Sequence, residues 1–518
     1  CAEGEWTYKV WFRTGTEIAA APEPNGGKPA GPADGATGSF KIGPTDAAAR
    51  DLRAKGRLEY VGEHYLRFAE TGEWFLKCGA DAPENLLAYA DFDNTPNVEG
   101  RRKTWGPHLR DYPGDGDDLL WGPDADRGKG LFGAINYLAS EGMNAFSFLT
   151  CNIDGDDRNV FPYLLKTDLG GYQARAEKKE RMTSERWTEV VDPLRFDVSK
   201  LAQWDRVFQY AERKGMYLHF KMLENENDHL MDGGNLGLER KLYCRELIAR
   251  FADHLALNWN LGEETMLSTE QIQAMAGYIA AVDPYDHNIV IHTYPNWHDK
   301  VYGPLLGDKS ELTGLSIQTS SRQFVEVHDA VVTWVRRSAE AGKKWIVAVD
   351  EPGDASYALA TDKDDPAHDL PRMNALWGTL LGGGQGVEWY FGYKYAESDL
   401  TCQDWRSRDL FWDQCRFALE FFRKFDVPFW KMSPHDELSQ SGNWVLASRA
   451  EDADFRLVAQ VRDGGTAAIA LPEGKFRFGW FNPRTGEGLV DRGQVNGGAG
   501  RFKAPGHQDW ILLVQPDP

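Results

Sequence analysis

Leu255-Ala256-Leu257-Asn258-Trp259-Asn260-Leu261-Gly262-Glu263-Glu264-Thr265 is a short apolar run that ends in two adjacent carboxylates. Such a run reads as a buried strand delivering charge at its C-terminal tip, where an α/β barrel keeps its chemistry. Lys344-Trp345-Ile346-Val347-Ala348-Val349-Asp350-Glu351-Pro352 has the same form and lies far enough downstream to be a later strand. Working outward from these two, strands are expected at Phe75–Gly79, Ala145–Leu149, Tyr217–Met222, Leu255–Leu261, Ile289–His292, Gly314–Gln318, Trp345–Val349 and Gly386–Tyr390. Amphipathic helices fit between them at Lys129–Glu141, Ser199–Lys214, Leu238–His254, Thr269–Val282, Phe324–Ala341 and Met373–Leu381. The alternation predicts the α/β class and a (β/α)8 TIM barrel.

The chain has 518 residues, room for a barrel of about 250 to 400 residues with smaller domains beside it. Residues 1–70 read as a small N-terminal β-sandwich-like domain, 71–430 as the barrel and 431–518 as a C-terminal antiparallel β-sandwich. Trp6-Thr7-Tyr8-Lys9-Val10-Trp11-Phe12 alternates as a strand does, and the Pro, Gly and Ala stretch from Ala19 to Gly38 reads as a loop. The Gly-, Pro- and Asp-rich tract Asp91 to Gly128 is expected to cover the barrel mouth. After Trp430, short strands at 444–447, 456–460, 467–470, 476–481 and 510–514 are separated by turn signals such as Asp463-Gly464-Gly465.

Composition excludes several functions. Lys plus Arg number 58 and Asp plus Glu 79, so 58 − 79 = −21, a sign that disfavours nucleic acid and anionic membranes. No run reaches about 18 apolar residues, so no membrane span is expected. The six cysteines, at 1, 78, 151, 244, 402 and 415, lack paired metal-ligand spacing and read as buried thiols, with Cys402 and Cys415 as the one candidate pair. Cys1 fits either a lipid-anchored mature terminus, which would place the protein in a bacterial periplasm, at the cell surface or outside the cell, or the boundary of a longer chain. No cofactor or metal is expected: the first strand lacks His-x-His, Asp115-Gly116-Asp117-Asp118 and Asp154-Gly155-Asp156-Asp157 lack EF-hand spacing, and Gly382 to Gly386 lacks the Lys-Ser/Thr of a phosphate loop. The 19 Trp and 19 Tyr suit carbohydrate, because aromatic faces cover the C–H faces of sugars.

Trp259-Asn260-Leu261-Gly262-Glu263-Glu264 resembles the Trp-x-Leu-Gly-Asn-Glu strand end of clan-A glycoside hydrolases such as β-galactosidases. In those enzymes the final Glu is the general acid/base and the preceding Asn contacts the sugar 2-hydroxyl. The resemblance implies the acid/base role for Glu264 and puts Glu263 in the place of that Asn, a departure from the pattern. More widely, Tyr65 to Phe68, Phe75 to Asn85 and the sequence from Gly142 onward resemble bacterial proteins of glycoside hydrolase type. These have a small N-terminal β-domain, a (β/α)8 barrel and a C-terminal domain labelled collagen-binding, an architecture similar to apiosidase-like enzymes.

Glycoside hydrolysis needs one carboxylic acid to protonate the departing oxygen and one carboxylate on the opposite face. Strands four and seven can hold both at retaining separation, so Glu264 is expected as acid/base and Glu351 as nucleophile, with Asp350 competing for the second role. Strand alternation lets only one of Asp350 and Glu351 face the axis unless the strand has ended. Substrate-binding positions are expected at Glu263, Asn260, His219, Lys221, Glu224, His292, Tyr294, Gln318 and Trp389, the last as an aromatic floor; Asp81, Glu84 and Asn85 lie near the mouth by topology. The expected function is a retaining glycoside hydrolase acting on a polysaccharide or oligosaccharide. The alternative is a catalytically silent carbohydrate-binding or adhesion protein on the same scaffold.

Overall fold

The structure, a computed structural model, describes residues 3–23, 25–47 and 50–517. Cys1, and with it the expected lipid anchor, lies outside the described residues. The centre is a parallel sheet of strands β1 (Lys77–Ala80), β2 (Ala145–Leu149), β3 (Tyr217–Lys221), β4 (Leu257–Asn260), β5 (Asn288–Val290 continued by His292–Thr293), β6 (Gly314–Gln318), β7 (Ile346–Glu351) and β8 (Gly386–Trp389). Nine strand segments line up in this sheet because β5 is interrupted at Ile291: its first half pairs with β4 and its second half with β6. Those two pairings join the ends of the sheet into a nearly closed barrel. Gly79 permits the closest approach within it, since a Cβ there would lie 1.7 Å from the Ala145 carbonyl oxygen.

A helix follows each strand: α1 (Lys129–Ser140), α2 (Val198–Arg213), α3 (Leu238–Phe251), α4 (Thr269–Val282), α5 (His298–Tyr302), α6 (Val327–Glu340), α7 (Trp377–Leu381) and α8 (Asp409–Lys424). Asp197 caps α2, and a reciprocal Ser268–Gln271 capping box starts α4, satisfying backbone donors that would otherwise be unpaired. The short α5 and the long α8 add to the helices expected from the sequence. No described helix is long and apolar enough to cross a membrane.

The barrel floor explains part of the N-terminal segment. Leu52, Leu58, Leu66, Phe68 and Phe75 form one buried cluster with Ala145, Tyr217, Leu255, Ala256 and Ile346, and the Leu58 N–H donates to the Leu255 carbonyl at 2.7 Å. Burying these side chains seals the N-terminal ends of the strands. Among the described residues of the first 70, strands make three separate two-stranded pairs: Gly4–Lys9 with Thr37–Ile42, Arg13–Thr14 with Lys28–Pro29, and Leu58–Glu59 with Arg67–Phe68.

The second half of the 91–128 tract runs down the side of the barrel instead of covering the mouth. Asp115 and Asp118 pair with Lys214 and Arg213 at the C-terminal end of α2, the end remote from the mouth because helices run back along their strands. At the other terminus, strands at 433–434, 444–447, 457–461, 466–482, 487–503 and 510–516 form a six-stranded antiparallel sheet. Its long 466–503 hairpin has register shifts after Leu471 and Phe478. Leu471 and Phe476 of the hairpin share a core with Val445, Leu457 and Leu512, an arrangement that fits a β-sandwich.

Candidate active site

Inward-facing charges fill the upper barrel in two layers. In the lower one Lys77 lies 2.5 Å from Asp350 and 3.3 Å from Glu388, the His219 Nδ1–H donates to Glu388 at 2.5 Å, and Asn260 Nδ2 donates to His219 Nε2 at 3.0 Å. Burial pushes the Glu388 carboxyl up, but Lys77 and His219 outweigh it and hold the group at about 2. His219 and Asn260 were expected to bind sugar. Both are fully buried; His219 is engaged by Asn260 and Glu388 and lies beneath the reacting layer because it precedes inward-facing Lys221 by one strand period, whereas Asn260 keeps Oδ1 without a partner.

The upper layer stands at the strand tips. Lys221 Nζ bonds Asp81 at 2.7 Å and pairs closely with Glu263, all three being buried. Burial favours the neutral amine, yet Asp81 and Glu263 outweigh it and raise the Lys221 proton affinity well above the usual lysine value. His292 lies between two acids, with Nε2 3.4 Å from Glu351 and Nδ1 4.0 Å from Glu263. Burial first, then Lys221, keeps this imidazole well below its ordinary value and therefore neutral at pH 7. Both of its nitrogens are buried without a hydrogen-bond partner, and either can carry the proton.

Asp350 and Glu351 both face the interior, which regular strand alternation forbids. The register between β6 and β7 explains it: Val349 stands opposite Ile317 but Glu351 opposite Gln318, leaving Asp350 as the extra residue of a bulge. Asp350 is consumed by Lys77 in the lower layer, so Glu351 is the acid of this pair presented at the mouth.

Glu264 sits one step further out. It adopts φ 48°, in the left-handed region, an uncommon conformation for a non-glycine residue that reaims a side chain at a strand end. Gln318 Nε2 donates to its Oε1 at 2.7 Å, while Asn225 Nδ2 reaches its Oε2 at 3.4 Å and the Tyr294 hydroxyl at 2.9 Å. Burial, reinforced by Glu263, raises the Glu264 carboxyl to about 7 despite the donors from Gln318 and Tyr294. Burial also pushes Glu351 well above the usual carboxylate range, with Glu264 and Glu263 adding to the rise and Lys221 opposing it. The charge of Glu264 thus opposes ionisation of Glu351.

Other expected residues divide by position. Glu224 is buried beside Glu263, with Oε2 free of any partner. Glu263 keeps Oε2 unpartnered as well, available to a hydroxyl donor. Gln318 and Tyr294 act on Glu264. Trp389 corrects the expectation of an aromatic floor: inward Glu388 precedes it, so its ring points outward and packs edge-on against Phe411 of α8 at 4.6 Å. Tyr390, the next residue, is buried, and its hydroxyl donates to the Ala355 carbonyl at 3.2 Å. Asn225, Lys77 and Glu388 were not singled out from the sequence; a Lys or Glu inside an otherwise apolar strand is the signal that could have found the last two.

Among the described residues, Glu263–His292–Glu351 and His219–Asp350–Glu388 each bring ligand-type atoms within 4.8 Å of one another. Each group already contains a lysine ammonium, Lys221 or Lys77, on its carboxylates. The charge a metal would bring is thus supplied, and neither trio reads as a metal centre. Cys78, Cys151, Cys244, Cys402 and Cys415 are buried free thiols.

No protein-family model matches the chain and no curated protein matches it in sequence. Solved structures do match in fold. One described as a glycoside hydrolase aligns at TM-score 0.59 and 15% identity over 90% of this chain and 98% of its own. A glycoside hydrolase family 5 protein from Bacteroides vulgatus aligns at TM-score 0.58 and 14% identity over 90% and 94%. At such identities the likeness is one of architecture, and this chain shares with both the fold of a (β/α)8 glycoside hydrolase.

Proposed function

We propose that the protein is a retaining glycoside hydrolase with Glu264 as general acid/base and Glu351 as nucleophile. The observation that carries this reading is the meeting at the barrel mouth of two carboxyls from the ends of strands four and seven, Glu264 held by Gln318 at 2.7 Å and buried Glu351 lying 3.4 Å from the His292 imidazole. Protonated Glu264 gives its proton to the departing glycosidic oxygen as Glu351 attacks the anomeric carbon from the other face. Glu264, now ionised, takes a proton from water, which displaces Glu351 and regenerates the starting state. When its proton is on Nε2, His292 stabilises ionised Glu351, and the free oxygen of Glu263 accepts from a sugar hydroxyl. Double displacement needs the Glu264 and Glu351 carboxyls about 5 to 5.5 Å apart, and inversion a wider gap of about 6.5 to 9.5 Å.

Screening a defined oligosaccharide library with mass spectrometry finds the substrate, and proton NMR of the first product gives the anomer. Retained configuration, with loss of turnover in both Glu264→Gln and Glu351→Gln, is the expected result. Turnover surviving in both variants sinks the assignment, and an inverted product sinks the double displacement. A glycan that binds without being cleaved by the unaltered protein favours the silent binding protein instead.

A further inference from the structure

Glu264 keeps a left-handed φ of 48°, so its neighbours must hold it in a conformation that a glutamate on its own disfavours. The Glu263 N–H donates to the Leu223 carbonyl at 2.7 Å, and the Thr265 N–H to the His292 carbonyl at 3.2 Å. These bonds tie the tip of β4 to the chain beyond β3 and to β5. Beyond them, one carboxylate takes two donors: Asp228 Oδ2 accepts from the Thr265 hydroxyl at 3.0 Å and from the Met266 N–H at 2.9 Å. Asp228 and Thr265 are fully buried. Asp228 Oδ1 has no partner and would lie 3.5 Å from a Cβ on Gly262, so the turn 262–266 closes around this carboxylate. Asp228 follows the single helical turn Asn225–Asn227, and its carbonyl accepts from Arg240 of α3. Asn225, three residues before it, reaches Glu264 Oε2 at 3.4 Å. The loop after β3 therefore grips Glu264 twice, at its carboxyl through Asn225 and at its backbone through Asp228.

We propose that Asp228 is a positioning residue for acid catalysis: its Oδ2 clamps residues 265 and 266, and the clamp keeps Glu264 in the left-handed turn that aims its carboxyl at the departing oxygen. The proposal rests on the acid/base role given to Glu264 above. Asp228 touches no reacting atom and acts through the turn. Without Oδ2 the Thr265 hydroxyl and the Met266 amide lose their acceptor, residue 264 relaxes out of the left-handed region, and its carboxyl leaves Gln318. Misplacing a catalytic group by about 1 Å costs on the order of a hundredfold in rate.

The test uses phenyl and dinitrophenyl glycosides of glucose, galactose, mannose, xylose and arabinose with the unaltered protein, Asp228→Ala, Asp228→Asn, Thr265→Val and Glu264→Gln. Phenol departs with the help of a proton and dinitrophenolate without it, so loss of acid positioning separates the two substrates and general damage to the fold does not. D228A is expected to lower kcat/KM about a hundredfold on the phenyl glycoside and less than about threefold on the dinitrophenyl one, the pattern also expected of E264Q. D228N keeps an oxygen acceptor and most of the activity on both. T265V, the milder change, serves if D228A does not fold; it removes one of the two bonds, and a loss of about tenfold confined to the phenyl glycoside is expected. Equal losses on both leaving groups in D228A and T265V overturn the proposal. So do crystal structures of these variants in which Glu264 retains its left-handed φ and its bond to Gln318. An unaltered protein that cleaves none of the glycosides, or an E264Q without the leaving-group pattern, overturns the hydrolase reading instead, and the crystal structures still decide whether Asp228 holds the turn.

Discussion

Replacing Glu264 by Gln is expected to stabilise the fold at alkaline pH while abolishing hydrolysis. Burial, with Glu263 beside it, raises this carboxyl from 4.5 to about 7. Between those values the folded chain binds more protons than the unfolded one. The folded state is therefore not penalised below about pH 4.5, and its stability falls as pH rises through about 7. The interval is 7 − 4.5 = 2.5 pH units, which at about 1.36 kcal/mol per unit gives a destabilisation of about 3 kcal/mol at pH 8. Gln keeps the shape and removes the charge. E264Q should gain most of that amount at pH 8, with partial exposure of the site lowering the figure toward about 2 kcal/mol, and less than about 1 kcal/mol at pH 5. Urea denaturation followed by tryptophan fluorescence at both pH values reads the difference directly. An equal effect at pH 5 and pH 8, or a loss of stability at pH 8, would refute the claim that folding strains this carboxylate.

Two further substitutions probe its surroundings. Gln318→Leu removes the 2.7 Å donor that favours ionised Glu264, so the fall of kcat/KM on the alkaline side should move up by about one pH unit; an unmoved limb means that this bond does not hold in the working protein. Trp389→Phe should leave KM unchanged, because the ring packs on Phe411 outside the barrel interior, whereas Trp389→Ala should cost about 3 to 5 kcal/mol of stability. A tenfold rise in KM for W389F at unchanged stability would return Trp389 to the sugar site.

The barrel was legible because each strand is a short apolar run with its own stop and each long helix has its own amphipathic period. Ala145 to Leu149 and Gly314 to Gln318 match their expected bounds in full. The strand at 487–503 was not legible: its glycines argue against a strand, and it forms because the 466–482 strand supplies pairing along its length. At the site, the acids at the tips of β4 and β7 were legible from their positions, and the tasks of His219, Asn260 and Trp389 were not. Facing depends on register, and register is set by neighbouring strands.

Sequence by itself determined that this is a barrel of alternating strands and helices and that carboxylates close its fourth and seventh strands. Burial of apolar side chains at fixed spacing is a local property, readable one segment at a time. Only the tertiary structure decided which acids meet. The bulge that turns Asp350 and Glu351 inward together exists in relation to β6, and the Lys221 clamp joins tips of strands one, three and four. Charges act through space, and the closed sheet brings Asp81 and Glu263 to the same ammonium although 182 positions, 263 − 81, separate them along the chain.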